Sequence, residues 1–214
     1  ADNVATFFER FRINSDGEVR LHSANGNNSD TPGITFRGGN STQKANFARI
    51  HSRMVSNWGG QIQFKVKDDN GSLSDAYQTA MIMDHNAVVT KPAHPSFHAS
   101  RRGGNVSAQT YVVFDQVFHN NGGHYDNNNG RFTAPVTGVY FFSVYHYTGG
   151  TPHSALALRI NGSQYGEYHW DDTGGCATWV APMTAGQYAQ IYTVSYTFRG
   201  TSDYHNGFNG FLIG

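Results

Sequence analysis

The chain has 214 residues, enough for one large or two modest domains, and its 15 Lys plus Arg are balanced by 15 Asp plus Glu. Charged residues make up 14%, aromatics 14%, and Gly numbers 25, which argues against a charge-rich disordered chain and for short strands, tight turns and aromatic sheet faces. A net charge of zero without a clustered Lys/Arg run argues against nucleic acid, and no apolar run reaches the roughly 20 residues of a membrane span.

The expected class is all-β. The opening at Ala1 without Met reads as a fragment of something longer. Phe11-Arg12-Ile13 leads through Ser15-Asp16-Gly17 to Val19, a strand, a tight turn and a strand. Residues 23–32 offer almost nothing to bury. Ile34-Thr35-Phe36 and the run FARIHSRMV at 47–55 read as strands, and Ile62, Phe64 and Val66 share one strand face. Met81-Ile82-Met83, His85-Asn86-Ala87 and Val89 then repeat the opening pattern weakly, as an array would. Pro92 and Pro95 interrupt any ladder, placing a boundary between a segment at 1–92 and a domain at 93–214.

The first segment has too few large apolar side chains to be stable alone at roughly 90 residues, so an intertwined trimeric shaft is expected. Its runs ERFRINSDGEV, ITFRGG, Ala48-Arg49-Ile50, GGQIQF and DHNAVVTKP resemble the β-rich repeats before the tip of bacteriophage tail-fibre proteins.

Beyond the prolines the aromatic density rises. In GVYFFSVYHY at 138–147, Tyr140, Phe142 and Val144 point to one face, and Phe141, Tyr145 and Tyr147 to the other. Burial on both faces needs a second sheet on one side; with no helical pattern to cover the other, another subunit is the economical cover. Phe114, Asn120, Tyr125, Phe132 and Gly138-Val139-Tyr140-Phe141-Phe142 fall at the spacing of the C1q and tumour-necrosis-factor-like jelly roll, and Gly207-Phe208-Asn209-Gly210-Phe211-Leu212-Ile213 resembles its closing strand. Val144 stands where an aromatic is usual. The resemblance covers 96–214 and implies a ten-stranded jelly-roll knob forming a homotrimer. By family position, Phe114, Phe132, Tyr140, Phe142, Phe208 and Phe211 belong to core or trimer packing.

No catalytic constellation is present, so an enzyme is not expected, and no cofactor is implied. Asp171-Asp172 with Glu167 lies in YGEYHWDDTGG, but adjacent strand carboxylates point apart, and no GxSxG motif occurs. The single cysteine, Cys176, reads as a small buried hydrophobe. No metal is assigned. His94 and His98 are weak candidates for an ion on a trimer axis, and residues 148–166, without Asp or Glu, lack carboxylates for calcium.

The candidate receptor contacts are Tyr165, Tyr168, His169 and Trp170, with His124, Tyr125, Tyr204 and His205, read as loop side chains suited to sugar rings. The leading expectation is the distal part of a trimeric phage fibre, a tail fibre or other virion appendage. It would meet a host cell-surface receptor, a glycan, outside the cell, with upstream fibre or virion proteins as its other partners. The alternatives are a structural trimerisation cap and a cellular C1q-like binding protein; the missing Gly-X-Y repeats weigh against the latter.

Overall fold

The computed structural model describes residues 11–13, 19–21, 33–39, 44–55, 59–67, 77–147, 154–170, 174–195, 197–200 and 205–214. Regular structure among them is all strand. The chain divides into two compact units, Ala1–Ala93 and His94–Gly214.

In the first unit, β1 (Phe11–Ile13) pairs antiparallel with β2 (Val19–Leu21). A five-stranded antiparallel meander follows: β3 (Gly33–Gly39), β4 (Lys44–Met54), β5 (Gly60–Lys67), β6 (Tyr77–Met83) and β7 (Val89–Thr90). The alternating runs become these strands because their apolar residues fall in register. Ile34, Ile50, Phe64 and Met81 form one cross-strand row. Ile34, Phe36, Ile62 and Val66 nevertheless remain exposed. The β6–β7 turn is built by Asp84, whose Oδ1 accepts the backbone N–H groups of Asn86 and Val88, both at 2.9 Å, while Ala87 takes a left-handed φ of 61°. Both hairpins of the expected repeat thus have their strands, although the turn at 14–18 lies outside the described residues, as does the polar stretch at 23–32.

Among the described residues the second unit has ten strands. They are β8 (Ser96–Ser100), β9 (Gln116–Asn121), β10 (Tyr125–Asp126), β11 (Arg131–Thr133) and β12 (Gly138–Tyr147), then β13 (Ser154–Ile160), β14 (Ser163–Trp170), β15 (Gly174–Met183), β16 (Tyr188–Ser195) and β17 (Asn206–Leu212). They form two five-stranded antiparallel sheets, ordered β15-β12-β17-β8-β9 and β10-β11-β16-β13-β14. This is a jelly-roll sandwich with its core between the sheets. The β13–β14 hairpin turns at Asn161-Gly162, with φ of 50° and 81°, the two-residue turn that matches strand twist.

The aromatic spacing in the sequence is the spacing of this core. Tyr140, Phe142 and Val144 point inward and are fully buried, as are Phe114, Phe132 and Phe208. Their rings pack in series: Phe97 stacks on Phe132 at 5.0 Å, Phe132 meets Tyr140 edge-on at 5.5 Å, and Phe142 stacks on Phe208 at 5.9 Å. Phe211, expected in core or trimer packing, lies outside the core of the single chain: it is 43% exposed. The reason is strand parity. Phe208 and Gly210 oppose the inward Val144 and Phe142, so Phe211 opposes the outward Phe141.

Tyr125 is also a core residue. Its hydroxyl donates to the Phe114 carbonyl at 3.0 Å and accepts the Phe114 N–H at 3.1 Å, and its ring stacks on Phe97 at 4.7 Å. Asn120 clamps it from outside, accepting the Tyr125 N–H and donating to the Tyr125 carbonyl. Burial pushes the Tyr125 phenol up, so it stays protonated and serves both groups of Phe114. Tyr125→Phe therefore leaves a buried donor and acceptor unmatched, and denaturant unfolding should register a loss of about 2–3 kcal/mol. A loss below about 0.5 kcal/mol would mean that water takes over both bonds.

Candidate functional site

The sandwich has two outward faces of different chemistry. On the sheet β15-β12-β17-β8-β9, Val180, Phe141 and Phe211 stand directly across from one another on three adjacent strands. The Phe141 and Phe211 rings lie 5.1 Å apart, and Val180 is 56% exposed. A second row on this face is polar, running Thr178, Ser143, Asn209, His98 and His119. Cys176 belongs to this outward face, opposite Tyr145, with its Sγ 3.6 Å from Ser143 Oγ. It is exposed rather than a buried hydrophobe, because β15 is an edge strand and parity turns the thiol outward.

The outward face of the other sheet carries polar and aromatic groups. Tyr188 and Tyr192 alternate with the inward Ala189, Ile191 and Thr193 along β16, while Gln190, on the same outward face, is buried and donates to the Asn129 carbonyl at 2.8 Å. The Arg159 guanidinium lies 3.4 Å from the centre of the Tyr192 ring, and its Nη1 donates to the Tyr111 hydroxyl at 3.3 Å. Arg131 lies over Tyr188 at 4.0 Å. Beside them Gln164 donates to Glu167 Oε2 at 2.8 Å, and His169 Nε2 contacts Glu167 Oε1 at 2.8 Å.

The expected receptor contacts disperse over this frame. Tyr165, Tyr168 and His169 are exposed, but they sit on strand β14 instead of a loop. The Tyr165 hydroxyl donates to the Val180 carbonyl at 2.8 Å. Trp170 is 6% exposed, so it cannot meet a receptor. Its ring packs edge-on against Tyr168 at 4.9 Å and His146 at 5.1 Å, in space that a Cβ on Gly175 would fill. Tyr125 is excluded as a contact for the same reason, being inside the aromatic core.

His124 is half-buried, edge-on to Phe132 at 6.5 Å, and burial lowers its pKa. His205 is exposed against the Tyr147 ring at 5.2 Å. Tyr204 lies outside the described residues, as do Asp171 and Asp172.

The strands β10 and β14 are opposite edges of one sheet. Four strand spacings separate them, about 19 Å at ~4.8 Å each. His124 and the β14 aromatics therefore do not form one site within a chain. His94 Nε2 is bonded to the Leu212 carbonyl, and the His98 ring packs against Phe118 at 5.0 Å. Within one chain, no group of three His, Cys, Asp or Glu among the described residues could hold a metal ion.

Residues 96–213 match the family model described as C1q domain. The chain belongs to the C1q domain family. Among curated relatives, mouse (Mus musculus) collagen alpha-1(X) chain is 28% identical over 143 residues, 63% of this chain and 19% of its own length. Complement C1q tumor necrosis factor-related protein 6 of Rattus norvegicus is 42% identical over 53 residues, 24% of this chain and 20% of its own. The chain thus spans about a fifth of the length of these relatives. Among solved structures, the globular domain of zebrafish complement 1qA protein is 19% identical with a TM-score of 0.42, covering 56% of this chain and 98% of that one. Murine APRIL is 11% identical with a TM-score of 0.47, covering 56% and 99%.

The arginine–tyrosine cluster was not legible from sequence. Tyr188, Gln190 and Tyr192 alternate visibly with small or apolar residues, but the partnership of Arg159 with Tyr192 needs the β13–β16 register.

Proposed function

We propose that the chain is a homotrimeric C1q-type binding module that recognises a partner outside the cell, with the sheet β15-β12-β17-β8-β9 facing the other copies. The observation that carries this is the outward row Val180, Phe141 and Phe211. Contiguous apolar groups on a solvated sheet mark a buried interface. The second sheet, with Arg131, Arg159, Gln164 and Glu167 outward, is left for solvent and ligand. A C1q-like binding protein is the setting that the comparisons support, since this chain carries a C1q domain and one similar protein is named for C1q.

A second setting is the tip of a phage or other virion fibre that recognises a glycan on the host surface. The upstream unit favours it. That unit is a β-meander whose Ile34, Phe36, Ile62 and Val66 need covering, and a trimeric shaft would supply the cover. In both settings three identical sites on one trimer raise weak single contacts into avidity.

The test is sedimentation of the intact chain together with its adsorption to whole cells. A trimer that binds cells and competes with the intact appendage or native protein is the expected result. A monomer at micromolar concentration, or a trimer that adsorbs to no cell panel, overturns the reading.

A further inference from the structure

Resting on the binding-module reading, we propose that the outward face of the sheet β10-β11-β16-β13-β14 binds a sugar bearing a carboxylate, with Arg159 as the anion contact. An arginine on a solvated sheet face ordinarily reaches a carboxylate or extends its head into water. Arg159 does neither. Its guanidinium carbon lies over the Tyr192 ring at 3.4 Å, and its Nη1 donates to the Tyr111 hydroxyl. Its Nε is buried without a hydrogen-bond partner among the described residues. The carboxylate of the adjacent strand, Glu167, which stands opposite Ala157, is held by Gln164 and His169 instead. The result is a planar guanidinium without an ion-pair partner among the described residues, its Nε turned inward, so that a carboxylate would be met by the terminal Nη groups.

The surroundings fit a sugar ring. The Tyr111 and Tyr192 rings meet edge-on at 5.1 Å, giving an aromatic surface beside the guanidinium. The Tyr111 and Tyr188 hydroxyls converge over Gly162, where an added Cβ would lie 3.7 and 3.9 Å from them, so a residue without a side chain leaves the floor open. Gln164 and Glu167 stand on the next strand as partners for sugar hydroxyls.

The same face limits the charge of the ligand. Arg131 has Asp126 opposite it in register, and Asp126 is already bonded to Asn128 and Asn129. With Asp126 and Glu167 flanking the two arginines, the face suits a single carboxylate among neutral hydroxyls and disfavours a densely sulfated or phosphorylated chain.

The experiment uses the intact purified chain, titrated calorimetrically and followed by the arginine Nε–H signals in NMR. The probes are a hexasaccharide of alternating glucuronate and N-acetylglucosamine, a sialylated trisaccharide, the carboxyl-reduced form of each, and inorganic sulfate. At least one acidic probe should shift the Arg159 Nε–H signal and bind at least tenfold tighter than its reduced form. Arg159→Gln should lose at least tenfold, with Arg159→Lys between the two. The parent NMR signal decides the matter if a variant fails to fold.

An Arg159 signal unmoved by both acidic probes overturns the site, as does equal binding of the reduced sugars, or sulfate binding as tightly as the acidic sugar. If the site fails while the trimer still adsorbs to cells, the binding-module reading stands with its contacts elsewhere. If adsorption is absent too, both fall.

Discussion

Phe211→Glu should sediment as a monomer at micromolar concentration where the parent sediments as a trimer. Phe211 opposes Phe141 on the outward face of β12 and β17, and Val180 extends the row on β15. Burying a phenylalanine of this kind contributes about 1.5–3 kcal/mol. Three-fold symmetry applies the substitution three times, and each new carboxylate must also leave water. Together these remove at least ~5 kcal/mol from assembly; because three chains combine, the midpoint concentration moves with the square root of that change, a shift of at least ~50-fold in the concentration needed for trimers. The fold of each chain should survive, because position 211 lies outside the core and Phe208 still fills it. A control at the other sheet, Arg131→Gln, should leave the trimer intact. If Phe211→Glu still sediments as a trimer, the other copies meet another surface and the assignment of the two faces is reversed.

Acid should weaken the second unit through His146, with a loss approaching 3 kcal/mol between about pH 6.5 and pH 4. His146 is 4% exposed, stacked on Phe198 at 4.8 Å and edge-on to Trp170. Its Nδ1 has no hydrogen-bond partner among the described residues. Burial disfavours the charged ring and lowers its pKa to about 4. The unfolded chain protonates this histidine near its ordinary pKa of about 6.5, whereas the folded chain resists until about 4. Within that window the unfolded state binds more protons, so stability falls as pH falls. The stabilising difference is fully present above about pH 6.5 and is lost by about pH 4. Each pKa unit corresponds to about 1.4 kcal/mol, which gives the magnitude.

Burial also lowers the pKa of His98, next to His119, and of His124, so they add to the slope with the same sign. Denaturant unfolding at pH 7.5 and pH 4.5 measures the effect. His146→Phe should flatten the dependence, since a phenylalanine keeps the stacking and removes the proton. An unchanged slope in that variant would assign the acid sensitivity to other groups.

The legibility of this chain differs between its inner and outer surfaces. Strand alternation marked 138–147 as a strand with aromatic groups on both faces, and β12 has that pattern. The spacing of Phe114, Asn120, Tyr125 and Phe132 carried the family because those residues form one internal network, from the Tyr125 hydroxyl on Phe114 to the stacked rings around Phe97. The exposed residues were read less well. Trp170 and Tyr125 looked like contacts because aromatic groups in Gly- and Asn-rich stretches suggest loops, yet both are inside. Tyr165, Tyr168 and His169 come from strand β14, whose irregular step between Leu158 and Arg159 on its partner strand blurs the alternation.

Sequence alone pointed to the all-β class, and by resemblance to a C1q-like jelly roll with Phe114, Phe132, Tyr140, Phe142, Phe208 and Phe211 in core or trimer packing. The class follows from local alternation and the resemblance from fixed spacing, both properties of residues near one another in the chain. Only the tertiary structure decided that Phe211 and Cys176 point outward, that Arg159 lies on Tyr192, and that His124 and Tyr168 occupy opposite edges of one sheet. Each of those depends on the register between strands distant in sequence. A shift of one residue would turn the same side chains to the other face.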